Sequence, residues 1–184
     1  MQPGYPDGFS YSADFITAGE EQQLLEAIAD TELHALNFRG FTAKRRVASY
    51  GYDYNFDERA ISKGTPIPQS FHFLVEQVAA HVNIPASRFA ELLLTHYPQG
   101  SVINWHRDAP PFGLVAGISL LSDCTFRFRP YAKAKQTRGA TIAVPVLRKS
   151  LYIIDGPARS DWEHSIAPVG HERYSITLRT LRNA

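Results

Sequence analysis

Beyond Leu92 the chain breaks into short runs rich in β-branched and aromatic residues, separated by turn residues. They are Leu92–Tyr97, Val115–Leu121, Thr125–Arg129, Thr141–Val146, Ser150–Ile154, Trp162–Ile166 and Tyr174–Leu181. Runs of this length and content read as strands. Strands so short and so regularly spaced bury their apolar sides only by stacking into a sandwich or closing into a barrel. Periodicity alone permits any such β architecture. The N-terminal half adds helices. Thr17-Ala18-Gly19-Glu20 has the spacing of a capping box, and Leu24, Leu25 and Ile28 follow it on one helical face. A firmer helix begins near Pro68, with Phe71, Leu74, Val75, Val78, Ala79 and Val82 repeating at three and four. Pro85 ends it, and a further short helix is expected through Ser87 to Ala90. The fold class is therefore α+β, with helices placed ahead of a β-rich half.

At 184 residues the chain suits one domain, 1–184, because two smaller ones would each be poorly buried. A single cysteine, Cys124, excludes an internal disulfide and fits a reducing compartment. Residues 1–12 lack the basic and apolar regions of a secretory signal, and no apolar run is long enough to span a bilayer. A cytoplasmic monomer with no membrane association is the expectation. A formal net charge of +1 announces no polyanionic partner. Its distribution is uneven, however. Arg127, Arg129, Lys133, Lys135, Arg138, Arg148 and Lys149 fall in a stretch without an acid, as do Arg39, Lys44, Arg45 and Arg46 between Leu33 and Tyr52. Such clusters serve either as phosphate contacts or as solvated loops.

His106-Arg107-Asp108 carries the chemistry. In an extended backbone alternate side chains share a face, so His106 and Asp108 project together while Arg107 points away. A histidine from a distant strand would complete two imidazoles and one carboxylate, a set that suits non-haem Fe(II) oxygenases, and His164 is the candidate. In Arg173-Tyr174-Ser175-Ile176-Thr177-Leu178-Arg179, alternation puts both arginines on one face. Guanidinium groups pair bidentately with carboxylates, so two on one face downstream of the last ligand fit a dicarboxylate bound at the metal.

Taken in order, Tyr97-Pro98-x-Gly100, His106-x-Asp108, Trp162-Glu163-His164-Ser165-Ile166-x-Pro168 and the Arg173–Arg179 segment resemble the AlkB family of Fe(II)- and 2-oxoglutarate-dependent dioxygenases. The resemblance extends over residues 36 to 182. It implies a double-stranded β-helix, or jelly-roll, core flanked by the N-terminal helices. It implies Fe(II) on His106, Asp108 and His164, and 2-oxoglutarate as co-substrate. By the family pattern Arg173 takes the distal carboxylate with help from the Tyr97 hydroxyl, Arg179 approaches the 1-carboxylate, and Ser175 adds a co-substrate hydrogen bond. The implied activity is oxidative demethylation of alkylated bases in single-stranded DNA or RNA: hydroxylation of an N-methyl group, followed by loss of formaldehyde.

In repair members of the family an N-terminal lid grips a flipped base. Residues 37–56 resemble that lid, with Lys44, Arg45 and Arg46 for phosphates and Tyr50 and Tyr54 for stacking. The same segment also reads as a β-hairpin of core tyrosines. The resemblance departs from the pattern at Pro110, which stands two residues after Asp108 where repair enzymes carry an acid. It departs again at Thr95 and Ser175, where the bacterial prototype has asparagines. A hydroxylase or demethylase of a protein side chain or small molecule on the same fold is the alternative. A metal-less binding module is disfavoured by the complete ligand set.

Overall fold

A computed structural model of the protein describes residues 4–38, 41–55 and 58–182. Every expected strand forms: β5 (Phe89–Tyr97), β7 (Phe112–Leu120), β8 (Cys124–Pro130), β9 (Ile142–Val146), β10 (Leu151–Ile154), β11 (Trp162–Ile166) and β12 (Arg173–Leu181). Others lie outside those seven runs, although β3 falls in the segment that also read as a β-hairpin. These are β1 (Phe9–Ser12), β2 (His34–Phe38), the long β3 (Phe41–Asn55), β4 (Ala60–Lys63) and β6 (Ile103–His106). All pairings are antiparallel, in a large sheet ordered β1-β10-β7-β12-β5-β3-β2, with β4 on β3, and a small sheet ordered β6-β11-β8-β9. The two sheets enclose Tyr97, Val115, Phe126, Phe128, Val144, Tyr152 and Ile166. This is the double-stranded β-helix.

Helix α1 (Ala18–Ala29) begins as expected. The Thr17 hydroxyl accepts from the Glu20 amide at 3.1 Å, and the Glu20 carboxylate accepts from the Thr17 amide at 2.7 Å. Helix α2 (His72–His81) follows a 3-10 turn at Gln69–Phe71, and Asn83 in the left-handed region at φ 56° closes the chain after it. Between Ser87 and Ala90 the structure differs from the expected helix. A 3-10 turn covers Ala86–Arg88, and Phe89 already belongs to β5, where it pairs with Thr180 of β12. Pairing with a neighbouring strand outweighed local helical preference there. A short α3 (Gly156–Ser160) links β10 to β11. Among the described residues no helix is long and apolar enough to cross a membrane.

Leu24, Ile28, Leu74 and Val78 of the helices pack with Leu92, Leu94, Ile118, Ile176 and Leu178 on the outer face of the large sheet. Each fully buried side chain of this size stabilises by about 1.5–3 kcal/mol. Because strand side chains alternate, burying Ile176 and Leu178 beneath the helices turns Arg173, Ser175, Thr177 and Arg179 to the opposite face. The helical layer therefore fixes which face of β12 is functional.

A close approach in the large sheet holds one interior aromatic in place. Gly117 of β7 pairs with Tyr152 of β10, and a Cβ at Gly117 would lie 2.0 Å from the tyrosine Cζ. Gly117→Ala is thus expected to displace the Tyr152 ring and to cost about 1–3 kcal/mol by overpacking. Urea denaturation checks this, and an unchanged midpoint would show that the ring relocates without cost.

Candidate metal centre

His106 and His164 are cross-strand partners of β6 and β11, which brings their ring centroids to 4.4 Å. Asp108 lies two residues past the end of β6, and one ligand atom from each of the three side chains lies within 4.8 Å of the others. The Nδ1 atom of His106 is 2.8 Å from the Asn104 carbonyl oxygen. A carbonyl only accepts, so Nδ1 carries the proton and Nε2 is left with its lone pair for a metal. His164 stacks on Phe126 at 5.1 Å and 19°. Burial, and then the neighbouring His106, push its pKa down to about 3, so it stands neutral and ready to ligate. The three side chains supply the imidazole and carboxylate donors that suit Fe(II), so their chemistry fits that ion.

Asp108 is held by charge. Burial by itself would raise its carboxyl, but Arg179, His164, His106 and Arg159 together hold it well below the ordinary carboxylate range. Arg179 donates to its Oδ1 from Nε at 2.8 Å and from Nη2 at 2.7 Å, while Oδ2 lies 3.4 Å from His164 Nε2. The same guanidinium donates from Nη1 to Glu91 at 2.5 Å. Glu91 and Arg179 are cross-strand partners on β5 and β12. Sequence reading missed Glu91, although one acid inside the apolar run of β5 was a readable signal of a buried partner. Arg159 of α3 was also missed. Its Nη2 donates to the carbonyls of Asp108, Ala109 and Phe112 at 3.0, 2.8 and 3.0 Å, fixing the backbone just after the carboxylate. Nothing in the sequence around Arg159 signals that role.

Arg173 is 0% exposed. Its Nε donates to Ser119 Oγ at 2.9 Å, its guanidinium lies 4.8 Å from the Tyr97 ring centroid, and Nη1 and Nη2 have no partner. The Tyr97 hydroxyl and Ser175 Oγ approach to 3.4 Å beside it. A buried guanidinium with two unmet donor groups is costly, and a carboxylate is the group that would satisfy both. This orphaned fork fits the distal end of a dicarboxylate.

The 37–56 segment is placed less simply. Arg39, Gly40 and Phe56 lie outside the described residues. On β3, Arg46 pairs with His96, Ala48 with Leu94 and Tyr50 with Leu92, so these residues share the helix-facing side of the sheet. Tyr50 packs against the core beneath the helices, and Arg46 donates to the Leu33 carbonyl at 2.7 Å. Lys44 is exposed, and its Nζ lies 3.7 Å from where a Cβ on Gly100 would sit. Arg45 takes the other side, next to Tyr97, and its Nε is buried without a partner. Gly51, at φ +81°, then bends the strand where a Cβ would meet the Ala90 carbonyl at 2.1 Å, and Tyr54 sits beyond it opposite Ile61 of β4. The structure thus separates Arg45 from Arg46 and Tyr50 rather than gathering them.

Asp108→Ala is expected to abolish metal binding with the fold retained, as read by anaerobic Co(II) titration and circular dichroism. Undiminished affinity would remove Asp108 from the ligand set. Glu91→Gln keeps the side-chain shape but takes one charge from Arg179, and outer partners of this kind are worth roughly tenfold to a hundredfold in metal affinity. The same titration reads that loss. If metal affinity is unchanged while the melting temperature falls, Glu91 only stabilises the fold.

Comparison with known proteins agrees with this geometry. The family described as the 2OG-Fe(II) oxygenase superfamily matches residues 11–181. The mouse tRNA (carboxymethyluridine(34)-5-O)-methyltransferase ALKBH8 is 25% identical over 169 residues, covering 89% of this chain and 24% of that protein. The Arabidopsis thaliana alkylated DNA repair protein ALKBH8 homolog is 26% identical, covering 92% of this chain and 57% of its own length. The chain therefore spans about a quarter of one relative and just over half of the other. Among solved structures, OsALKBH1 superposes with a TM-score of 0.73 at 14% identity, covering 97% of this chain and 100% of that one. A Pseudomonas putida prolyl-4-hydroxylase superposes at 0.62 with 17% identity, covering 96% and 94%. Both share the fold. With the superfamily match running nearly end to end and a His–Asp–His cluster among the described residues, the chain belongs to the 2OG-Fe(II) oxygenase superfamily, whose dioxygenases use Fe(II) and 2-oxoglutarate.

Proposed function

We propose that this dioxygenase oxidatively demethylates alkylated bases in single-stranded DNA or RNA. His106, Asp108 and His164 hold the iron, and Arg173, Tyr97 and Ser175 hold the distal carboxylate of 2-oxoglutarate. Arg179 fixes Asp108 and lies toward the co-substrate's 1-carboxylate. An iron held there with 2-oxoglutarate would activate dioxygen, one oxygen atom going into succinate as 2-oxoglutarate loses carbon dioxide and the other into a substrate C–H bond. The protein's own part is orientation and charge. His164 presents a neutral nitrogen, Arg179 keeps Asp108 ionised, and Arg159 locks the loop that carries it. The observation that carries the oxygenase assignment is the pair of unpartnered guanidinium nitrogens on Arg173, buried among Ser119, Tyr97 and Ser175.

The nucleic-acid substrate is supported by the names of the relatives, which refer to tRNA and to alkylated DNA. Within residues 37–56, Arg45 supports it too, as the cation on the metal-facing side of β3. Pro110 keeps a protein or small-molecule substrate open, since no acid follows Asp108 at that position to meet a base edge.

Arg173→Leu is expected to raise the half-saturating 2-oxoglutarate concentration roughly tenfold to a hundredfold, because a charged hydrogen bond is worth about 1.5–3 kcal/mol. Succinate release against co-substrate concentration reads it. Fe(II)-dependent formaldehyde release from methylated single-stranded oligonucleotides tests the substrate. Co-substrate turnover that no methylated DNA or RNA stimulates would favour the protein or small-molecule reading.

A further inference from the structure

The acid-free stretch from Arg127 to Lys149 is not used by the metal centre, and the structure divides it. Arg148 is bound to Glu21 and Lys149 to Asp14, so both are committed to internal ion pairs. Arg127 and Arg129 lie on the outward face of β8, paired in register with Ser165 and Glu163. Arg127 donates to Ser165 at 3.0 Å, and Arg129 pairs with Glu163. Both guanidiniums also lie over the Trp105 ring, at 5.2 and 4.4 Å from its centroid. Lys133, Lys135 and Arg138, in the β8–β9 loop, are exposed, and their side chains make no ion pair among the described residues.

This loop is anchored. The Gln136 amide donates to the carbonyls of Pro130 and Tyr131 at 2.9 and 3.3 Å and to Glu163 at 3.2 Å, while the Tyr131 amide donates to the Asp161 carbonyl at 2.8 Å. Its cations are thus presented from a fixed backbone, which lowers the ordering cost of a ligand. The loop also starts at the metal centre. Arg107, between the ligands His106 and Asp108, lays its guanidinium 3.5 Å from the centroid of Tyr131, which is 47% exposed, and is pinned by a 2.9 Å hydrogen bond to the Ser160 carbonyl.

We propose that Arg107, Tyr131, Lys133, Lys135 and Arg138 form a track for single-stranded nucleic acid, running from the rim of the metal centre along the β8–β9 loop. The proposal rests on the nucleic-acid reading above and names a further surface for it, since Tyr50 packs beneath the helices and Arg46 is bonded to the Leu33 carbonyl. Exposed cations with no acid between Arg127 and Lys149 suit a polyanionic backbone. A tyrosine layered by a guanidinium supplies the flat cationic surface on which bases stack. Among the described residues the exposed large apolar side chains are Val102, Tyr131 and Leu147, and of these Tyr131 is the one beside the loop cations.

The test is fluorescence anisotropy of labelled single-stranded DNA and RNA against the full chain loaded with Co(II) and 2-oxoglutarate, over a range of salt. Three phosphate contacts at about 0.7 each predict that K133E/K135E/R138E flattens the log–log salt slope by about 2. A K63E/R88E variant, altered in the cleft between β4 and β5, should keep the wild-type slope. Tyr131→Ala should weaken binding with little change of slope. A triple variant that keeps wild-type slope and affinity overturns the track and leaves the nucleic-acid substrate standing. Wild-type protein that binds no oligonucleotide, or that binds anionic vesicles instead, overturns both. Flattened binding without formaldehyde release upholds the track and removes the demethylase reading.

Discussion

One guanidinium, divided between two carboxylates, holds the site together. Arg179 bonds Asp108 with two nitrogens and Glu91 with the third, and all three side chains are largely withdrawn from water. Charges so buried are tolerable only as a complete set, because removing one partner leaves another uncompensated at a cost of about 3–5 kcal/mol. The arrangement also assigns work to individual oxygens. Oδ1 of Asp108 is occupied by Arg179, and Oδ2 is left on the His164 side. The loop bearing Asp108 is therefore fixed twice, by its side chain through Arg179 and by its carbonyls through Arg159. Both arginines reach it from elsewhere in the chain, which couples the metal geometry to the closure of the two sheets.

How much of this the sequence revealed depended on whether local pattern or tertiary contact decided the outcome. β12 was legible because strict alternation sorts its residues, with Ile176 and Leu178 beneath the helices and Arg173 and Arg179 toward the sheets' interior. The capping box before α1 was legible for the same local reason. β6 was not, since four residues containing Asn104 and His106 carry little strand signal, and the strand exists by pairing with β11. That pairing is also what makes His106 and His164 neighbours. Glu91 left a trace as a lone acid in an apolar strand, whereas Arg159 left none, because its role comes from where a five-residue helix happens to dock.

The 37–56 segment shows a different limit. Cations and tyrosines that look like one gripping surface in a string of letters are sorted by the pleat, with Arg46 and Tyr50 on the helix side of β3 and Arg45 turned toward Tyr97. Composition counts residues, but a strand distributes them at period two. The stretch after Arg127 behaves in the opposite way. Its charges looked like a solvated run, yet Gln136 and the Arg107–Tyr131 stack fix it against the segment between His106 and Asp108 and against Glu163 of β11.

Arg173 sets the thermodynamic character of the centre. The protein pairs Asp108, Glu91 and Arg179 with one another, but leaves two nitrogens of the Arg173 guanidinium unmet. That deficit lowers the stability of the empty protein and is recovered only by a ligand carrying an oxyanion at the right depth. Rigid walls make the selection sharp. Tyr97 and Ser119 hold the fork in place, and the interior around it is filled by Tyr152, seated against Gly117, and by Phe126 beneath His164. A group bound at both the metal and Arg173 must span that fixed distance, so the length of the acid is read by two anchors that the fold does not allow to move.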